Sequence, residues 1–261
     1  MIQAQLQSLR SLLLILIRVD YWSAKKKLYL LALLSQLLAS DYLDYIYEDT
    51  NPSYNSFGVT GLIQTPSADI LGEGNLHFVL TKNDIYKLGT LTIAPFNWME
   101  ASYFYYRPSD LLWSGPSSKG LYLDKGFNVK FNYQPKSNLW PRFAIGLNDF
   151  AGHSLFSREY IVATKKVKNY KFNLGMGWGA FSQQKNFKNP LSIIRDDFTL
   201  RPSIYDENYG VGGNFSYGSW FKGPIGIFGG AEIAIPHAKG LKFKVEYDPF
   251  DYMEFSCCGG G

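Results

Sequence analysis

The stretch Tyr170-Lys171-Phe172-Asn173-Leu174-Gly175-Met176-Gly177-Trp178-Gly179 decides how this chain folds. Tyr170, Phe172, Leu174, Met176 and Trp178 are large and apolar, while the residues between them are polar or glycine. Successive side chains of a strand point to opposite faces, so a period of two predicts a β-strand with one apolar face and one polar or bare face. The pattern recurs on both sides. Phe127, Val129, Phe131 and Tyr133 stand against Asn128, Lys130 and Asn132; Phe143, Ile145 and Leu147 stand against Ala144, Gly146 and Asn148. Tyr160, Val162 and Thr164 oppose Ile161 and Ala163, and Leu241, Phe243, Val245 and Tyr247 oppose Lys242, Lys244, Glu246 and Asp248. Residues 87–93 and 97–106 read as a pair around Pro95, and 209–221 with 224–235 as a Gly-rich hairpin.

Strands of this kind either turn their apolar faces inward, as a sandwich, or outward to lipid, as a barrel. Two features favour the barrel. The segments approach the ~9–11 residues that a tilted membrane strand needs. Tyr133, Tyr170, Trp178 and Tyr247 also cap the ends of the apolar faces, where barrels carry aromatic girdles. Composition agrees: 17% of residues are aromatic and only 18% charged, against ~25% charged in ordinary soluble domains. The expected fold is all-β, an antiparallel up-and-down transmembrane β-barrel of about ten strands, spanning 57–255 after an N-terminal helical leader. The polar stretch 181–208 is expected as a long loop on the outer side.

Residues 1–40 read as the leader. Lys25-Lys26-Lys27, an apolar h-region at 28–38 and the small residues Ala39 and Ser40 have the layout of a secretory signal, which predicts export through the Sec pathway. No cysteine follows the h-region before Cys257, so no lipoprotein anchor is expected. Residues 41–56 are expected as an irregular mature N-terminus and 256–261 as an unstructured tail. Between them, 57–74 reads as the start of an opening hairpin: a strand at 59–64, a Thr65-Pro66 break, and a turn at Gly72-Glu73-Gly74, with a second strand at 75–81. Asp69 and Glu73 read as turn residues. The count of strands lacks a closing one, and the chain is read as incomplete, the first part of a longer protein.

The chemistry is sparse. A net charge of +4, scattered along the chain, gives no reason to expect nucleic acid. His77, His153 and His237 have no metal-ligand spacing, and the adjacent Cys257 and Cys258 supply no disulfide framework. Asp149, His153 and Ser154 offer hydrolase residue types, but local adjacency is not triad geometry. No catalytic residue, metal or cofactor is expected. The candidate sugar-binding residues are lumen-facing polar ones. Asp149 could bind sugar hydroxyls, orient Arg158, or cap its own turn. Glu232 and Glu246 could line a sugar path or pair with Lys242 and Lys244.

Several pieces in order resemble one family. They are Gly61-Leu62-Ile63-Gln64-Thr65-Pro66-Ser67-Ala68 with Gly74, and Phe143-Ala144-Ile145-Gly146-Leu147-Asn148-Asp149-Phe150-Ala151-Gly152. Tyr160-Ile161-Val162-Ala163-Thr164-Lys165, Phe228-Gly229-Gly230-Ala231-Glu232 and Val245-Glu246-Tyr247-Asp248 complete the set. Across 57–250 the chain resembles the YjbH family of exopolysaccharide and capsule biosynthesis proteins of the outer membrane. The resemblance implies a non-catalytic, β-barrel-rich protein working in polysaccharide production or export. Its expected partners are the outer-membrane lipid bilayer, polysaccharide and other export-machinery proteins. The alternatives are a secreted β-sandwich that binds or acts on glycans, and a general porin.

Overall fold

A computed structural model describes residues 52–109, 123–137, 139–151, 157–202, 215, 217–235 and 240–251. They belong to the second of two compact units, Asp49–Gly261. The leader at 1–40 and the tail at 256–261 lie outside the described residues.

Nine strands form one sheet: β1 (Leu76–Lys82), β2 (Tyr86–Phe96), β3 (Met99–Pro108), β4 (Asp124–Tyr133), β5 (Arg142–Asn148), β6 (Arg158–Val167), β7 (Tyr170–Gly177), β8 (Gly226–Ala234) and β9 (Lys242–Tyr247). Each pairs antiparallel with the next in chain order, and the only helical turns among the described residues are three short 3-10 segments between β7 and β8. The expectation of an all-β, antiparallel, up-and-down fold holds. The count among the described residues is nine, against the expected ten or so, and these strands pair as an open series in which β1 and β9 are the edges. No second sheet is present among the described residues to make a sandwich.

Register explains why the sheet forms. Phe131, Ile145, Ile161, Met176 and Ile227 are successive cross-strand partners from β4 to β8. Apolar pairs of this kind are the unit of sheet stabilisation, yet all five side chains are exposed. One residue along, Glu100, Lys130, Gly146, Tyr160, Gly177 and Gly226 form the neighbouring row on the other face, and that row is buried. Burial is therefore inverted relative to a sheet that packs its apolar face on a core. Leu80, Tyr103, Phe127, Phe172, Leu174 and Phe243 continue the exposed apolar face across the sheet.

Glycines on the inner face make room for its large residues. A Cβ on Gly146 would collide with the Tyr160 ring, and one on Gly175 with the Phe228 ring. Tyr160, Phe228 and Phe181 pack there with Val162, Ala144 and Ala68. Trp178 departs from the expected girdle. The alternation ends with β7 at Gly177, Gly179 turns the chain at φ 64°, and Trp178 folds inward, 1% exposed, edge-on to Phe221.

The largest correction concerns 57–74. Residues 59–64 are not a first strand of the sheet. The segment makes only isolated bridges with itself, Tyr54 to Thr60 and Gly61 to Pro66, and β1 begins the sheet at Leu76. It lies instead on the polar inner face.

Candidate functional site

Strand connections differ sharply between the two ends of the sheet. At one end they are 97–98, 134–141, 168–169 and 235–241; at the other they are 83–85, 109–123, 149–157 and 178–225. Residues 72–75 feed β1 from the short-connection end, where the Gly74 amide donates to the Ala94 carbonyl at 2.8 Å.

From there the segment 53–71 runs over the inner face and touches every strand. Near its start, Tyr54 stacks on His77 of β1 at 3.8 Å, while the Lys242 ammonium of β9 donates to the Ser53 hydroxyl at 3.3 Å. Two consecutive residues thus reach the two edge strands. Phe57 lies toward the long-connection end, beside Tyr86 at the start of β2 and beneath the guanidinium of Arg158 at the start of β6. The Thr92 hydroxyl of β2 donates to the Gly58 carbonyl at 2.7 Å.

Three clusters of charge hold the segment down. In the first, the Glu100 carboxylate accepts the Thr60 and Leu71 amides, each at 3.0 Å, and pairs with Lys130 at 3.0 Å. Lys130 also donates to the Thr60 hydroxyl and carbonyl. Glu100 and Lys130 are 2% and 3% exposed, so neither charge has water as an alternative partner. In the second, Asp69 pairs with Arg142 and Lys171, both at 3.0 Å. Burial alone would raise the Asp69 pKa; the Lys171 ammonium hydrogen-bonded to it, helped by Arg142 and Lys130, outweighs burial and holds it below the ordinary value. In the third, the Glu246 carboxylate accepts the backbone amides of Ile63, Gln64 and Thr65 at 3.0, 2.7 and 3.2 Å, and the Thr65 hydroxyl at 2.9 Å. Lys244 donates to the Leu62 carbonyl at 2.8 Å.

The sequence-derived candidates fall into two groups. Glu232, Lys242, Lys244 and Glu246 are brought together on β8 and β9: Glu232 lies 3.8 Å from Lys242, 3.7 Å from Lys244 and 3.1 Å from Lys171. They form part of the seat under the segment. Asp149 and Arg158 are brought together elsewhere, at the long-connection end. Both line a cavity of about 30 Å³ with Asn128, Asn148, Tyr106 and Phe57. The Asp149 backbone adopts a left-handed φ of 55°, and its amide donates to the Asn128 side-chain oxygen at 3.0 Å. Glu159, the residue after Arg158, pairs with Arg201 at 2.6 Å.

Sequence reading missed Glu100, Lys130, Asp69, Arg142 and Lys171. Glu100, Lys130 and Lys171 sit on the inward phase of their strands, so the alternation carried a signal for them. Asp69 carried none: its local sequence predicts a turn residue, and it is a buried ion-pair centre. Glu73, by contrast, is an exposed turn residue as expected. Among the described residues no three His, Cys, Asp or Glu side chains are grouped to hold a metal ion.

A single antiparallel sheet with its apolar face exposed and its polar face filled by the chain's own segment defines the class: an inside-out all-β protein. The chain belongs to the YjbH family, whose profile, described as "Exopolysaccharide biosynthesis protein YbjH", matches residues 53–256. A curated relative from Escherichia coli (strain K12), named "Uncharacterized lipoprotein YjbH", is 33% identical over 233 residues, which cover 88% of this chain and 33% of the relative. The chain thus spans about a third of that relative's length. No solved structure matches the chain. The matched region begins where the inner-face segment begins, so that segment is part of what the family shares.

Proposed function

We propose that this chain forms the wall and plug of an outer-membrane β-barrel, and that it serves exopolysaccharide production or export without catalysing a reaction. The observation that carries this reading is the inverted sheet. Leu80, Leu91, Tyr103, Phe127, Ile145, Ile161, Leu174, Ile227 and Phe243 face outward and exposed, while Glu100, Lys130, Gly146, Lys171, Gly177 and Glu232 of the same strands face inward and are buried. In water such a face is costly, at ~25 cal/mol per Å² of apolar surface left exposed; in a bilayer it is the required one.

Closure has its own support. The contacts of Ser53 with β9 and Tyr54 with β1 put the two edges around one short segment. Uneven connection lengths support an orientation, because such barrels keep short turns on the periplasmic side and long loops outside. Filling of the polar face by 53–71 argues against a general porin, which needs an open lumen. The relative's name, with the word lipoprotein, supports a place in the cell envelope, and the family description supports a role around exopolysaccharide. Polysaccharide and other envelope export proteins are the proposed partners.

Fractionation of cells expressing the full chain tests the reading. It expects an outer-membrane band whose electrophoretic mobility shifts on boiling. A soluble periplasmic protein would refute it.

A further inference from the structure

The inner face carries an excess of positive charge at the short-connection end. Register sets Lys166 of β6 opposite Lys171 of β7, Lys171 opposite Glu232 of β8, and Glu232 opposite Lys244 of β9. Side chains directly opposed on one face stand about 4.5–5.5 Å apart at Cβ, so these four form one row. Arg142 and Lys242 flank it. Arg142 of β5 is paired with Thr164, two residues before Lys166, and the Lys242 ammonium lies 3.8 Å from Glu232. Arg142, Lys166, Lys171, Lys242 and Lys244 thus stand around two carboxylates, Asp69 and Glu232. The next carboxylate inward, Glu246, is already taken by the amides of residues 63–65. Turns at the same end add Lys136 and Lys168 against Glu73.

This surplus has a cost and an outlet. Like charges directly opposite each other destabilise a sheet, and Lys166 and Lys171 are such a pair. Lys166 is exposed and forms no ion pair with a described residue. The Arg142 side chain is 49% exposed, and Lys242 and Lys244 are partly open to solvent. Lys171 lies buried beneath them. A concave surface lined by one sign of charge, with low-dielectric walls, concentrates its field on a ligand of the opposite sign.

We propose that this basic rim is the docking surface for an acidic polysaccharide, one with carboxylate groups on its sugars, and that Arg142 and Lys166 touch it directly. Placement and charge select the partner. The rim lies on the face opposite the exposed apolar surface, so lipid headgroups do not reach it in the membrane reading. A neutral glycan gains nothing from a surplus of cations. Arg142 donates to Asp69 through Nη1, and its half-exposed planar group suits a sugar carboxylate. In the orientation proposed above the rim faces the periplasm, and the ligand class rests on the polysaccharide role proposed there.

Isothermal titration calorimetry on the full chain in non-ionic detergent micelles tests it, with trigalacturonate, neutral maltotriose and a triglutamate peptide as probes. Trigalacturonate is expected to bind, more weakly as salt rises from about 0.05 to about 0.5 M, and maltotriose is not. Arg142→Gln and Lys166→Gln together should weaken trigalacturonate binding about tenfold. Lys166→Gln alone removes no ion pair, keeps the fold if the double variant does not, and should weaken binding about threefold. No binding of trigalacturonate to the folded wild type, or equal binding to wild type and Lys166→Gln, overturns the rim as a docking surface. Equal or tighter binding of triglutamate overturns the glycan as its partner. Mobility on boiling is read from the same samples: a heat-modifiable chain that binds no trigalacturonate loses the rim alone, whereas a binding chain that is not heat-modifiable loses the membrane reading alone.

Discussion

The carboxylate of Glu246, on the last strand, accepts the backbone amide of Gln64 at 2.7 Å across 182 residues of sequence. It takes the amides on either side as well, and so does for the segment what a neighbouring strand would have done. A backbone amide buried without a partner is costly, and this loop meets that demand from side chains of the sheet.

Replacing Glu246 by alanine removes one acceptor from four donors. Hydrogen bonds to charged groups contribute about 1.5–3 kcal/mol each, and the shared, partly exposed site lowers the sum. Glu246→Ala is expected to destabilise the folded chain by about 2–3 kcal/mol and to open the 53–71 segment to limited proteolysis. Digestion followed by mass mapping checks it; an unchanged digestion pattern would show that the segment is held elsewhere.

The Glu100–Lys130 pair is the more deeply buried anchor. Removing one member strands the other charge away from water, so Glu100→Ala should cost about 3–5 kcal/mol. Replacing both by apolar residues of similar volume should cost much less, because no charge is left behind. Urea midpoints for the single and double variants measure the difference.

Acid should loosen the Asp69 contact. Its pKa is held below the ordinary 3.8 in the folded chain. A carboxylate with a depressed folded value stabilises the fold fully above its unfolded pKa, and loses that contribution as pH falls through the folded value. The stability gap between wild type and Asp69→Asn should therefore be constant above about pH 5 and shrink below about pH 4. Denaturation series from pH 7 to pH 3 would show it; a gap independent of pH would sink the assignment.

The outward face separates the membrane reading from a soluble one at a single residue. Leu174 is 66% exposed, so in a water-soluble sheet Leu174→Lys would be nearly neutral. Facing lipid near mid-strand, the same lysine is expected to cost about 2–4 kcal/mol. Folding into phospholipid vesicles under a urea titration measures it.

Much of the fold was legible without coordinates. Alternation in 170–177 and its neighbours located β4 to β7 and β9 and named the exposed apolar face of each except β6, where Tyr160 and Val162 turn inward and Ile161 outward; side-chain direction in a strand follows position parity. It also put Glu232, Lys242, Lys244 and Glu246 on the inner face, where they lie together. Parity could not place Trp178, since the strand ends one residue before it.

Residues 57–74 mark the boundary between the two sources of information. Sequence by itself determined that this stretch is turn-rich, that it precedes a run of strands, and that those strands have one apolar and one polar face. Only tertiary structure decided that the stretch fills the polar face and does not extend the sheet. The reason is physical: an extended loop and a short strand share backbone conformation and differ in where their amides find acceptors. Here the acceptors are Glu100 and Glu246, supplied by strands far along the chain, and nothing local to residues 57–74 encodes them.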